Sequence, residues 1–132
     1  MNTKKKGNIA LSRAIAYFIK EGYSVFLPLA DEGGHIDLLI TKDGYNILRV
    51  QCKYTERYKT IKNYKIWIIN LKTYTNLKKF KRYESSSFDK LFISTPDKNY
   101  LYDWSELLRH KKNIPGTLLI NEIKEKNYEL SY

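Results

Sequence analysis

Hydrophobic positions near the start of the chain recur at helical spacing. Ile9, Leu11, Ala14, Ile15, Phe18 and Ile19 predict a helix over residues 4–21, with Gly22 placed where a helix stops. The pattern then shortens to strand-length runs. YSVFLP (23–28) predicts a strand ended by Pro28, LADEGG (29–34) a loop, and HIDLLIT (35–41) a second strand. KDGY (42–45) carries Asp-Gly at its centre and predicts a tight turn, so that YNILRVQCKY (45–54) returns antiparallel to 35–41. YKIWIINL (64–71) predicts a further strand. TYTNLKKFKRYESSS, within 72–87, is basic and polar and fits a short helix or a loop. FDKLFIST (88–95) and YLYDW (100–104), joined by PDKN, predict a hairpin. SELLRHKK (105–112) predicts a short helix capped by Ser105. Residues 113–132, with TLLINEI, fit a strand or a tail. The expected class is α/β (mixed α+β), in one domain spanning 1–132.

Within LRVQCKY (48–54) the period of two puts Arg49, Gln51 and Lys53 on one face and Leu48, Val50, Cys52 and Tyr54 on the other. A hairpin centred on Asp43-Gly44 sets Asp37 opposite Gln51. One carboxylate, one amide oxygen and one ammonium then meet at one end of a sheet. Each has an ordinary structural explanation: Asp37 as a strand-entry residue, Gln51 as a solvent-facing one, Lys53 as a surface lysine. Together they suit a hard divalent cation and a phosphate. Mg2+ (or Mn2+) takes oxygen ligands, here Asp37, the Gln51 side chain and the Cys52 backbone carbonyl. Lys53 would orient the attacking water and offset charge. Cys52 itself points to the core face and reads as a small core residue. His35 shares parity with Asp37.

Charge adds a partner. The chain has 132 residues, 24 Lys+Arg against 14 Asp+Glu and a net charge of +10, which suits a polyanion. The basic segments 57–65 and 72–82 supply Lys59, Lys62, Lys65, Lys72, Lys78, Lys79, Lys81 and Arg82 as candidate phosphate and groove contacts; a solvated charged face is the plain alternative. The 12 tyrosines suit base stacking but equally suit strands. A single cysteine excludes an internal disulfide framework and fits the cytoplasm. The 2 histidines, His35 and His110, are far apart, so no zinc spacing exists. No apolar run is long enough to span a membrane, and no signal peptide is expected.

The ordered set KGN (6–8), IDLLI (36–40), RVQCK (49–53) and FDKLFISTPDKNYLYDW (88–104) resembles the PD-(D/E)XK nuclease superfamily. It is most like the small intron-associated homing endonucleases of the cyanobacterial type. Those begin with a KGxxGE-like helix and follow with YDLIV and RVQVK strands and a later VYxPD…YLI hairpin. The resemblance covers most of 4–108. It implies a restriction-endonuclease-like core, with a central mixed sheet and the N-terminal helix packed on it. It further implies a metal-dependent DNA endonuclease whose active site is Asp37, Gln51 and Lys53. Leu11 stands where that family carries a helix glutamate. Asp31 or Glu32 would then compensate, or substrate phosphate would complete the metal site, or the chain binds DNA without cutting it. A structure-selective junction resolvase is the other enzyme implied. Cleaving both strands of a duplex, or a branched junction, calls for two sites, hence a homodimer or homotetramer.

Overall fold

The structure, a computed structural model, describes residues 2–29, 36–74, 80–82, 87–110 and 116–130. Helix α1 runs Thr3–Lys20. Its N-cap is Asn2, whose side-chain oxygen accepts from Lys5 N–H at 2.9 Å. Gly22, at φ 92°, closes the other end. The left-handed turn lets Gly22 N–H and Tyr23 N–H bond back to Ile19 and Phe18 carbonyls. Ala10, Ala14 and Phe18 form the buried stripe.

The strands are β1 (Ser24–Phe26), β2 (Leu38–Thr41), β3 (Leu48–Tyr54), β4 (Tyr58–Ile61), β5 (Tyr64–Asn70), β6 (Lys72–Tyr74), β7 (Phe80–Arg82), β8 (Lys90–Ser94), β9 (Asn99–Asp103) and β10 (Thr117–Asn121). Helix α2 is Trp104–His110, and a short 3-10 turn covers Lys126–Tyr128. The central sheet has the order β1-β2-β3-β8-β9, a second sheet β10-β5-β4, and β6 pairs β7. β3 lies antiparallel to β2 and parallel to β8.

Two cores flank the central sheet. On one face Ala10, Ala14 and Phe18 of α1 meet Leu38, Ile40, Val50, Cys52 and Phe92. On the other, Leu91, Ile93, Tyr100 and Tyr102 meet Trp67, Ile69, Leu118 and Ile120 of the second sheet, with Trp104 beside them. The layers are therefore helix, mixed sheet, second sheet. The expected mixed sheet with α1 packed on it is present, but the polar face of β3 also lies under cover.

Several boundaries differ from the sequence expectation. β1 and β2 are shorter than 23–28 and 35–41, and Asp37 sits in a bend just before β2. The turn after β2 is not a two-residue hairpin; it occupies 42–47. Residues 58–61 form a strand that the hydrophobic pattern does not predict. The described parts of segment 72–87 include strands β6 and β7, which the sequence does not predict; 75–79 and 83–86 lie outside the described residues. Residues 117–121 are a strand because they pair with β5. The cap of α2 is Asp103, not Ser105: Asp103 Oδ1 accepts from Glu106 N–H (3.1 Å) and from the Ser105 hydroxyl (2.8 Å).

Asp43 organises the turn between β2 and β3. Its Oδ1 accepts from Asn46 N–H and Tyr45 N–H, both at 2.8 Å, and from the Thr41 hydroxyl at 3.2 Å. Its Oδ2 accepts from Asn46 Nδ2 at 2.7 Å. These bonds, the Asn46 backbone first, lower its pKa from 3.8 to about 2. A depressed carboxyl contributes stability above its unfolded pKa and loses it as pH falls through the folded one. Asp43→Ala is therefore expected to lower the urea midpoint at pH 6. Its deficit against wild type should shrink as pH falls from about 4 to about 2. Denaturant titrations across that range check this; a constant deficit would mean that the ionised carboxylate is not what holds the turn.

Candidate functional site

β3 outruns β2, and the site is built on the overhang. Arg49 N–H and C=O both bond Asp89 at the start of β8. Alternation along the strand then turns the N–H and C=O of Cys52 toward the β2 edge, beyond where β2 has begun. Asp37 fills that gap. The register pairs Leu38 with Val50, which sets Asp37 beside Gln51, as the sequence predicts. Its N–H donates to the Val50 carbonyl (2.8 Å), and its Oδ2 accepts from Cys52 N–H (2.8 Å). A side chain thus takes the place of a ladder bond and fixes the carboxylate against β3.

Gln51 is 4% exposed. Its Nε2 donates to the Cys52 carbonyl at 3.3 Å, while its Oε1 is buried and has no hydrogen-bond partner among the described residues. Most buried polar atoms are paired; among the described residues this oxygen shares the unpaired state with Trp67 Nε1 and the Tyr100 and Tyr102 hydroxyls, and of the four it is the one beside Asp37. Cys52 packs in the helix-side core. Burial first, then the Asp37 charge, pushes its thiol well above the ordinary range, so it is no nucleophile.

Lys53 lines a groove of about 290 Å³ at the end of β3. α1 contributes Thr3, Lys6 and Gly7 to this groove, and β5 contributes Ile69 and Asn70. Lys6 pairs with Glu56 at 2.8 Å. KGN (6–8) enters the sequence reading only as a motif of the family resemblance; the packing of α1 across β3 is what brings Lys6 and Gly7 to Lys53.

The donors Asp37, Gln51 Oε1 and the Cys52 carbonyl are all oxygens, the set a hard divalent cation prefers. The orphaned Gln51 oxygen is where such an ion would satisfy a buried acceptor. Among the described residues no group of three His, Cys, Asp or Glu side chains could hold a metal ion. Leu11 packs half-buried against the helix-side core and adds no charge. Asp31, Glu32 and His35 lie outside the described residues.

The candidate DNA contacts separate. Lys59 and Lys62 are exposed on the β4–β5 hairpin, whose turn places Lys62 at φ 56°. The Lys65 ammonium lies 4.6 Å from the Tyr58 ring and 5.3 Å from the Trp67 ring, so its stem helps cover the second core. Lys72 pairs Arg82 across β6 and β7, and Lys81 pairs Thr73. Lys78 and Lys79 lie outside the described residues.

A helix packed on a mixed sheet, with an acidic residue at the entry to β2 beside an amide and a lysine on the central strand β3, is the restriction-endonuclease-like fold. The chain belongs to the PD-(D/E)XK endonuclease family, whose sequence model matches residues 1–127. Among solved structures it is similar to a bacterial homing endonuclease, I-Ssp6803I. The TM-score is 0.66 at 20% identity, over 91% of this chain and 78% of that one. At that identity the likeness shows the fold. No curated protein sequence matches the chain.

An unpaired buried acceptor costs stability, about 1–3 kcal/mol by general experience. Gln51→Met keeps the volume and removes that acceptor along with one long hydrogen bond. We expect unfolding free energy to rise by about 1 kcal/mol. Urea unfolding measures it, and a drop of that size would mean that the amide is satisfied in solution.

Proposed function

We propose that this chain is a divalent-metal-dependent DNA endonuclease, Mg2+ or Mn2+ serving as the ion, of the homing or mobile-element kind. One observation carries it: Asp37 is locked to the Cys52 amide beside a buried Gln51 oxygen that lacks a donor, in a chain of a nuclease family. Asp37, Gln51 and the Cys52 carbonyl would hold the ion. A divalent ion in such a site lowers the pKa of bound water and offsets phosphate charge. Lys53 would orient the attacking water by hydrogen bonding and offset charge growing on the phosphate. Water then adds in line to phosphorus as the bond to the leaving sugar oxygen breaks. The exposed lysines Lys59 and Lys62 would hold flanking phosphates. Cutting two strands calls for two copies of the site, so a homodimer or homotetramer is part of the proposal.

Leu11 favours a second function, a DNA-binding protein that keeps the fold without cleavage. The two separate in one experiment: nicking of supercoiled plasmid and of a four-way junction with Mg2+, by wild type, Lys53→Ala and Asp37→Asn. We expect wild type to nick and each variant to lose at least about 100-fold. Cleavage of the junction alone would make the protein a structure-selective resolvase. Salt-dependent binding without any cleavage would leave the non-cutting function. Undiminished cleavage by Lys53→Ala would remove Lys53 from the site.

The charge of the site yields a further expectation. With one carboxylate and one neutral amide, the ion should bind weakly to the free protein and more tightly beside a substrate phosphate. Calorimetric titration of Mg2+ into Lys53→Ala, with and without duplex DNA, should show affinity rising at least about 10-fold with DNA. Equal affinities would sink the idea that substrate completes the site.

A further inference from the structure

On the endonuclease function just proposed, we infer that the flank of α1 at Lys6 and Gly7 seats the substrate's sugar-phosphate backbone next to the scissile phosphate. Lys6 takes one phosphate there, and Gly7 leaves the helix bare so that the strand can come up to it. Lys6 and Gly7 face the same groove as Lys53, about 290 Å³ in volume and open to solvent on one side. A strand whose phosphate reaches Lys53 must pass this wall, and the wall is cationic.

Gly7 is the unusual residue. It lies inside an 18-residue helix, where glycine is among the poorest formers. Its φ is not positive, so backbone conformation does not demand it. A Cβ built on it meets no heavy atom of the described residues beyond its own helix turn within 4 Å, so their packing does not demand it either. Ala10 and Ala14, further along the same helix, are small because they press on the sheet at 0% exposure. Gly7 has no such neighbour among the described residues. What the missing side chain clears is the groove itself.

Lys6 is held for the same task. Its ammonium pairs with Glu56 at 2.8 Å, which fixes a long side chain at the groove wall before any ligand arrives. Glu56 is exposed, and the Lys6 hydrogen bond keeps its carboxyl below the usual range. An incoming phosphate competes with a solvated carboxylate for Lys6, and the groove gives that phosphate Lys53 as a second cation.

The test uses the full chain and duplex DNA in a salt series, with thermal unfolding of each variant alongside. Gly7→Leu should unfold at the same temperature as wild type or a few degrees higher, since leucine is the better helix former and has room. The same variant should bind DNA at least about 10-fold more weakly and nick in proportion. Lys6→Ala should lower the slope of log affinity against log salt by about 1, the signature of one fewer phosphate neutralised by the protein. Wild-type binding by Gly7→Leu overturns the seat while nicking by wild type keeps the endonuclease function. A lower unfolding temperature for Gly7→Leu also overturns it, because the glycine is then needed by the fold. A wild-type protein that neither binds nor nicks DNA ends both.

Discussion

The site depends on the middle of β3, Val50–Cys52, being enclosed. Its edges are paired to β2 and β8, and its faces are covered by α1 and by the β5–β10 sheet. Enclosure is what gives Gln51 its meaning. On a solvated strand an amide oxygen takes a water and costs nothing; at 4% exposure the same oxygen without a donor is a standing penalty. Enclosure also makes the overhang informative. Where β2 is absent, the Cys52 amide would be left without a partner, and Asp37 supplies one with its carboxylate. The same hydrogen bond that completes the sheet therefore aims the acidic group.

The parallel pairing of β3 with β8 shapes the rest of the chain. Parallel neighbours cannot be joined by a hairpin and need a long crossover. Residues 55–89 make it, and they are not idle: β5 folds back over the sheet face that carries Gln51, Leu91 and Ile93, and its two edges take β4 and β10. Thr55, directly after β3, ties these parts together. Its N–H bonds the Ser94 carbonyl at 2.9 Å and its hydroxyl bonds the Ile68 carbonyl at 2.7 Å. β5 is thereby held at a set distance from the end of β3, which is what gives the groove beside Lys53 two fixed walls.

Local pattern reveals the parts that local physics decides. α1, the β2–β3 register and the β8–β9 hairpin follow from periodicities within a few residues of one another, and so does the pairing of Asp37 with Gln51. What stays hidden is non-local. β4 shows no buried alternation, since Tyr58–Ile61 is exposed throughout, and it exists because β5 offers an edge. β10 is a strand through pairing with residues nearly fifty positions earlier, a partner that no window of sequence contains. The burial of Gln51 is hidden for the same reason: its face is the one that the second sheet covers, a layer that cannot be inferred from LRVQCKY. The α2 cap differs by two residues because Asp103, read as the end of a strand, accepts the helix amide as well.

Leu11, at the place where the family resemblance would put a helix carboxylate, bears on both sides of the sheet. Leucine at that place packs half-buried against the helix-side core and adds no charge. The negative charge offered to a cation among the described donors then rests on Asp37, while the chain as a whole carries +10. A site so poor in anions inside so basic a protein is balanced for a ligand that brings its own negative charge. Divalent ions keep their water unless enough oxygen charge replaces it. DNA supplies that charge, and it is drawn by the lysines first, so the order of assembly on the proposed function is nucleic acid and then metal. Coupling of this kind is reciprocal: whatever the phosphate adds to the ion's affinity, the ion adds to the affinity for DNA. On the proposed function, Leu11 would shift the chemistry toward dependence on substrate rather than abolish the place where it would occur.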